Sequence, residues 1–116
     1  MKVGAEDTQL IITMDWIRHN GLADITWHTA NERSTSPQAG SILKRKGVLS
    51  GVADIFIARA SGAWNGCFIE LKVKGGKLSP AQSKFLESMA RENYFTAVRY
   101  SADEAIATIR EYLQMT

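Results

Sequence analysis

The sequence contains a single cysteine, two prolines and no apolar run long enough to cross a membrane. One cysteine cannot form an internal disulfide, so the fold cannot rest on a disulfide framework and a reducing cytosol is expected. A bilayer span needs about 20 apolar residues in succession. Met1-Lys2-Val3-Gly4 also leads into an amphipathic segment rather than the apolar core of a signal peptide. We therefore expect no membrane association.

The chain also lacks a strong excess of charge of either sign. Fourteen basic residues face 12 acidic ones, and the formal net charge of +2 is too small to indicate a nucleic-acid partner by itself. The basic residues are nevertheless grouped on both sides of an acidic centre, in Lys44-Arg45-Lys46 and in Lys72, Lys74 and Lys77. Either group could equally be a solvated loop or helix end. The length of 116 residues and a hydrophobic content of 45% predict one globular domain, residues 1–116.

Two apolar segments at the middle of the chain predict a pair of antiparallel strands. The first runs from Gly51 to Ile57 and the second from Cys67 to Lys72, and Asn65-Gly66 between them is a turn signal. Pairing across this turn gives residue numbers that sum to about 125, which places Asp54 opposite Glu70 or Leu71.

Acidic side chains inside these strands need an explanation. Side chains alternate between the two faces of a strand, so Glu70 and Lys72 share one face, and Asp54 lies across from them. Two carboxylates facing each other repel unless a positive group, such as a divalent cation, lies between them. Hard oxygen ligands select hard cations, and Mg²⁺ is typically held by one or two carboxylates. The alternatives are a solvated ion pair between Glu70 and Lys72, and an Asp54 that only caps a turn.

The rest of the chain predicts an α/β fold with a mixed sheet between helices. The predicted elements are a helix over residues 5–19, a strand over 25–28, a loop over 30–40, a helical turn over 42–45, a helix from Ser79 to Glu92, a strand over 95–100 parallel to the Glu70 strand, and a final helix that buries Ala105, Ile106, Ile109 and Leu113.

Gln82 and Glu6 each have two interpretations. Ser79-Pro80-Ala81-Gln82 forms a capping box, yet Gln82 also lies on the sheet-facing stripe of its helix and could bind a site carboxylate or a phosphate. Glu6 begins the apolar face of the first helix, where an acidic residue is favoured by the helix dipole alone.

The histidines and tryptophans carry no clear functional pattern. His19 and His28 lack metal-ligand spacing and are interpreted as structural or surface residues. Trp16, Trp27 and Trp64 are interpreted as packing residues rather than base-stacking platforms, although Trp64 lies in the turn region and could be exposed.

Four motifs in the right order resemble the VRR-NUC family, a branch of the PD-(D/E)xK nuclease superfamily with a restriction-endonuclease-like fold. They are Glu6-x-x-Gln9, Gly47 with Gly51-Val52-Ala53-Asp54, Glu70-Leu71-Lys72, and Ser79-Pro80-Ala81-Gln82. The resemblance extends from Glu6 to about Leu113 and is strongest to the stand-alone members found in phages. One departure is Ala53, where the family often has proline; this removes rigidity but no chemical group.

The resemblance implies roles for individual residues. Asp54 and Glu70 would be metal ligands, with the Leu71 backbone carbonyl as an extra ligand, and Lys72 would be the catalytic lysine. Gln82 and Glu6 would support the site. The DNA-binding candidates are Asn31, Lys44, Arg45 and, next to the acidic centre, Lys74.

The expected function is that of a DNA endonuclease that uses Mg²⁺ or Mn²⁺. By family resemblance, the substrate would be branched DNA, such as a flap or four-way (Holliday) junction, cut by a homodimer. A phage-encoded protein of this kind would act in the cytoplasm of the bacterial host. Two other functions stay open: a DNA-structure-binding module without catalysis, and a small metal-dependent hydrolase acting on nucleotides.

Overall fold

The computed structural model describes residues 3–30 and 36–115. Its elements in chain order are helix α1 (Ala5–His19), a 3-10 turn (Ala23–Ile25), strand β1 (Thr26–His28), helix α2 (Pro37–Arg45), strands β2 (Ile55–Ile57) and β3 (Cys67–Leu71), helix α3 (Pro80–Arg91), strand β4 (Phe95–Arg99) and helix α4 (Ala102–Tyr112). None of the described helices has the length and apolar character needed to cross a membrane.

The strands form one mixed sheet in the order β1-β2-β3-β4. β2 pairs antiparallel with both β1 and β3, and β3 pairs parallel with β4 across the α3 connection. Ile55 lies opposite Ile69 and Ile57 opposite Cys67, so paired numbers sum to 124. Continuing this register by one residue places Asp54 opposite Glu70. The predicted α/β fold and the predicted strand pairing are both confirmed.

Each face of the sheet carries its own apolar core. On one face, α1 and α4 cover the alternate residues Ile55, Ile57, Ile69 and Leu71, all buried. On the other face, α3 covers Phe68 and the β4 side of the sheet, and the smaller core there centres on buried Phe85. Strand alternation gives the second face Asp54 and Glu70 as well. The sheet thus provides an apolar side for stability and a half-covered side that holds the acidic residues.

The segment before β2 differs from its prediction. The sequence predicts a loop over residues 30–40 and a single helical turn over 42–45, but α2 begins at Pro37 and runs through Gly40 to Arg45. Residues 31–35 of the predicted loop lie outside the described residues. The Ser36 hydroxyl accepts a hydrogen bond from the Ala39 N–H at 3.1 Å, and Pro37 occupies the first helical position. The N-terminus of α2 is therefore formed in the same way as that of α3, by a serine cap followed by proline at the first helical position.

Two helical faces also differ in detail. The apolar Ile11 of α1 is 49% exposed, because the face of this helix that packs on the core carries Leu10, Met14 and Ile17 instead. In α4, Thr108 and Tyr112 are buried together with Ala105 and Ile109, whereas Ile106 and Leu113 are only half-buried. The buried face of α4 is therefore rotated by about one residue from the predicted one.

Gly51 fixes the approach of the chain to Asp54, and we expect Gly51→Ala to destabilise the protein by at least about 2 kcal/mol. Gly51 has a φ of +80°, and a Cβ there would lie 2.7 Å from the Gln82 backbone nitrogen and closer still to the Ala81 carbonyl group. Urea unfolding measures the effect. Gly47→Ala is the matched control, since Gly47 has a φ of +94° but no atom within 4 Å of its Cβ position. Equal losses in the two variants would contradict the close-contact explanation.

Candidate active site

Asp54 is held at the end of β2 by two backbone N–H groups and one histidine side chain. Its Oδ2 accepts a hydrogen bond from the Leu71 N–H at 2.7 Å. Its carbonyl oxygen accepts from the Thr29 N–H at 2.9 Å and from Nδ1 of His28 at 2.7 Å. The backbone pairing between β2 and β3 ends at Ile55. Beyond it, the Asp54 carboxylate accepts the hydrogen bond of a β3 backbone N–H in place of a backbone carbonyl. The carboxylate is therefore oriented before any ligand binds.

Glu70 lies beside Asp54 with a buried side chain that lacks sufficient hydrogen bonds. The residue is 2% exposed, and its Oε2 is buried without any hydrogen-bond partner. Burial, together with a hydrogen bond to Asp54 and the negative charge of Asp54, raises the pKa of Glu70 to about 9, against the opposing effect of the Lys72 charge. An unpartnered carboxylate oxygen at this depth is costly for folding. Its position is thus explained by function better than by stability.

Lys72 and Gln82 face the same cleft as the two acids. Lys72 follows β3, where its N–H donates to the Arg99 carbonyl at 2.8 Å, and its side chain is half-buried. Gln82 completes the predicted capping box: its Oε1 accepts from the Ser79 N–H at 2.9 Å, and its own N–H donates to the Ser79 hydroxyl at 3.2 Å. Its amide NH₂ group remains as the donor that a ligand in the cleft could use.

The cleft encloses about 270 Å³ and brings together most of the predicted site residues. Those that line it are Glu6, Asp54, Glu70, Leu71, Lys72 and Gln82. The exposed Glu6 contributes from α1, and its negative charge adds to the rise in the pKa of Glu70. The predicted catalytic set is therefore one spatial cluster, drawn from α1, the ends of β2 and β3, and the first turn of α3.

Asp7 and His28 also line the cleft, and sequence reasoning did not place them there. The sequence, which lacks metal-ligand spacing around His28, indicates only a structural or surface role for this residue. Because its Nδ1 faces a carbonyl oxygen, Nδ1 must carry the proton, which leaves Nε2 as an acceptor in the neutral ring. No spacing rule could have found this contact, since it joins residues 26 positions apart through a backbone atom.

The basic residues are more scattered than the acidic ones. Lys44 and Arg45 are exposed on the last turn of α2, and Lys74 is exposed just after Lys72. Lys44 lines a separate groove of about 640 Å³ between α2 and α3, together with Lys84. Asn31 lies outside the described residues. Lys74 is thus close to the cleft residue Lys72 in sequence without lining the cleft, and Lys44 lies on another surface.

The donor set of the cleft fits a hard divalent cation held by few protein ligands. Among the described residues, no group of three or more histidine, cysteine or acidic side chains is arranged to hold a metal ion. Two adjacent carboxylates with one unpartnered oxygen are present instead. Mg²⁺ typically binds one or two carboxylates and retains several waters. The residues present are compatible with that mode of binding.

Comparison with known proteins agrees with this geometry. The VRR-NUC domain profile matches residues 5–103. A solved structure described as a VRR_NUC domain protein superposes with a TM-score of 0.82 at 30% sequence identity, covering 99% of this chain and 93% of that one. No curated protein matches the chain. The profile match extends over most of the sequence and includes the whole acidic cleft, and the chain belongs to the VRR-NUC domain family, a family of nuclease domains.

Proposed function

We propose that this protein is a divalent-metal-dependent endonuclease that hydrolyses phosphodiester bonds in branched DNA. The observation that carries this proposal is the buried, unpartnered Oε2 of Glu70 beside the oriented Asp54 carboxylate. The two acids would hold Mg²⁺ or Mn²⁺, with the Leu71 backbone carbonyl as a further oxygen ligand. Cation binding would offset the repulsion between the two carboxylates. It would also give the Oε2 atom of Glu70 the partner that it lacks.

The bound cation would polarise a non-bridging phosphate oxygen and lower the pKa of a water molecule. Asp54 and Glu70 would hold the cation, and the Leu71 N–H already orients the Asp54 carboxylate. Lys72 would stand beside the phosphate, where its ammonium either orients the attacking water or neutralises charge on the phosphorane. The Gln82 amide would donate to a phosphate oxygen or to a site carboxylate, and Glu6 would support the site from α1.

Charge and family membership support DNA as the substrate. Lys74 is exposed two residues after the cleft residue Lys72, and Lys44 and Arg45 are exposed on the last turn of α2, where they would contact the phosphate backbone. Asn31 is proposed as a fourth contact on the basis of the motif alone.

Selectivity for flaps or four-way junctions follows from the family resemblance, and a homodimer would allow paired cuts across a two-fold axis. A monomer at micromolar concentration in sedimentation analysis would contradict the dimer.

A panel of end-labelled DNA substrates tests the proposal. Single-stranded, duplex, flap and four-way-junction DNA are incubated with Mg²⁺, Mn²⁺ or EDTA. We expect cleavage with either cation, none with EDTA, and the highest kcat/KM on a branched substrate. Asp54→Asn is the matched inactive variant, because the amide oxygen still accepts from Leu71 N–H while the ligand charge is lost.

The same panel separates the proposed nuclease from a binding module. Binding of branched DNA without cutting, under every cation and equally in Asp54→Asn, would overturn the enzyme and leave a DNA-structure-binding protein. Equal cleavage of all four substrates would overturn only the structural selectivity.

A further inference from the structure

A groove lined by aromatic residues lies on the sheet face that carries the acidic cleft. Trp27 of β1 is 51% exposed and packs edge-to-face on Phe56, with ring centroids 5.1 Å apart. Phe56 in turn stacks on Phe68 at 4.4 Å. Helix α3 covers the β4 side of this face, so the groove remains open between Trp27 and α3, with a volume of about 550 Å³. This volume is typical of a ligand pocket.

The groove is continuous with the acidic cleft. An intermediate depression shares Gln82 with the cleft and shares Thr29 and Val52 with the aromatic groove. Strand register gives the same relation, because Phe56 lies two residues beyond Asp54 on the same face of β2. Two residues of strand span about 7 Å, close to the rise of two stacked nucleotides at about 3.4 Å each. A DNA strand with its phosphate at Asp54 would therefore place a nearby base over these rings.

The chemistry of the groove favours a base over a phosphate. Its described lining contains no lysine or arginine, and its charged member is Glu92 at the end of α3. A carboxylate repels phosphate but accepts a hydrogen bond from the exocyclic amino group of a base. An exposed indole supplies the stacking surface on which unpaired bases bind in single-strand-binding proteins. A paired base inside a duplex could not reach such a groove.

We propose that the groove beside Trp27 binds an unpaired base of the substrate strand, stacked on the indole about two nucleotides from the phosphate at Asp54. The inference rests on the proposed function and deepens it, since it assigns the selectivity for branched DNA to recognition of an unpaired nucleotide next to the cut. Glu92 adds a preference for bases that carry an amino group.

Binding measurements on oligonucleotides with a single abasic site test the inference. Fluorescence anisotropy with Ca²⁺ in place of Mg²⁺ compares the intact single strand with a series in which the abasic site moves one nucleotide at a time. In the wild type, we expect affinity to fall about 10-fold at one or two adjacent positions only. Trp27→Leu, which retains apolar bulk without an aromatic face, should bind the intact strand about 10-fold more weakly and lose the dependence on abasic position.

The controls separate stacking from other roles of Trp27. Trp64→Leu changes another exposed tryptophan, 39% exposed and packed on Phe95 away from the groove, and should leave affinity unchanged. Trp27→Phe keeps a stacking face and should restore the dependence on abasic position. A DNA affinity that is unchanged in Trp27→Leu would overturn the inference. If the sedimentation coefficient of that variant were altered while its DNA affinity was not, the surface would be assigned to a protein contact. Abasic-sensitive binding without cleavage of any substrate would instead retain the base site and refute the nuclease.

Discussion

Replacement of Lys72 by methionine is expected to lower the rate of phosphodiester cleavage by about 10² to 10³-fold while leaving DNA affinity within about threefold. Lys72 lines the 270 Å³ cleft together with Asp54 and Glu70, where its charge would act on a phosphate bound in the cleft. Methionine matches the apolar stem of lysine as far as Cε and lacks only the ammonium group. Single-turnover cleavage with saturating Mg²⁺ measures the chemical step directly.

Lys74→Met removes the same charge two residues further along the chain and is the matched control. Because Lys74 is exposed outside the cleft, its loss should weaken DNA binding and reduce the dependence of log K on log salt by about one, with little effect on the cleavage rate at saturation. Similar losses of single-turnover rate in the two variants would show that Lys72 acts only as one more phosphate contact.

Replacement of Glu70 by glutamine is expected to abolish cation binding and cleavage, and at the same time to stabilise the cation-free protein above neutral pH. The pKa of Glu70 in the folded protein is raised from 4.5 to about 9 by burial and by Asp54. The folded state therefore holds a proton that the unfolded state releases, and the stability of the wild type falls as pH rises from about 4.5 to about 9. Glutamine does not ionise, so this decrease should disappear.

Thermal unfolding in EDTA between pH 5 and pH 9 tests the linkage. The Tm of Glu70→Gln should exceed that of the wild type by an amount that grows with pH, corresponding to at least about 2 kcal/mol at pH 8.5. Mg²⁺ should raise the Tm of the wild type more at pH 8 than at pH 5.5, since the cation competes with the proton, and should leave the variant unchanged. A wild type that is as stable as the variant at every pH would contradict a destabilised Glu70 carboxylate.

The sequence was sufficient for the parts of the site that depend on local rules. Strand alternation and an assumed turn between the two segments predicted the Asp54 and Glu70 pairing, and the observed register differs from the expected sum by one. The position of the turn was wrong, because the chain reverses at Gly62-Ala63 between the bridged residues Ser61 and Trp64, before Asn65-Gly66. The capping box predicted the start of α3 and the placement of Gln82. Each of these follows from residues close together in sequence or from a fixed period, which is why they were accessible without coordinates.

Other features depended on long-range packing. The start of α2 carried a Ser36-Pro37 signal, but position 39 is alanine rather than an acid or amide, and Gly40 lies inside the helix. Asp7 reaches the cleft only because α1 packs on α4 and β3 at one particular rotation. His28 contacts a backbone oxygen of another strand. Composition and period do not encode such contacts, which become visible only when the elements are assembled.

Two requirements limit the residue types that suit position 82, the capping box of α3 and the charge of the cleft. Glutamate and glutamine serve equally well as the third residue of a capping box, so helix formation alone would accept either. Position 82 faces the cleft, however, and glutamate there would add another negative charge beside Glu70, whose carboxylate is already hard to ionise. The neutral amide satisfies both the helix and the cleft. The presence of glutamine rather than glutamate at position 82 is thus explained by the negative charge of the neighbouring cleft.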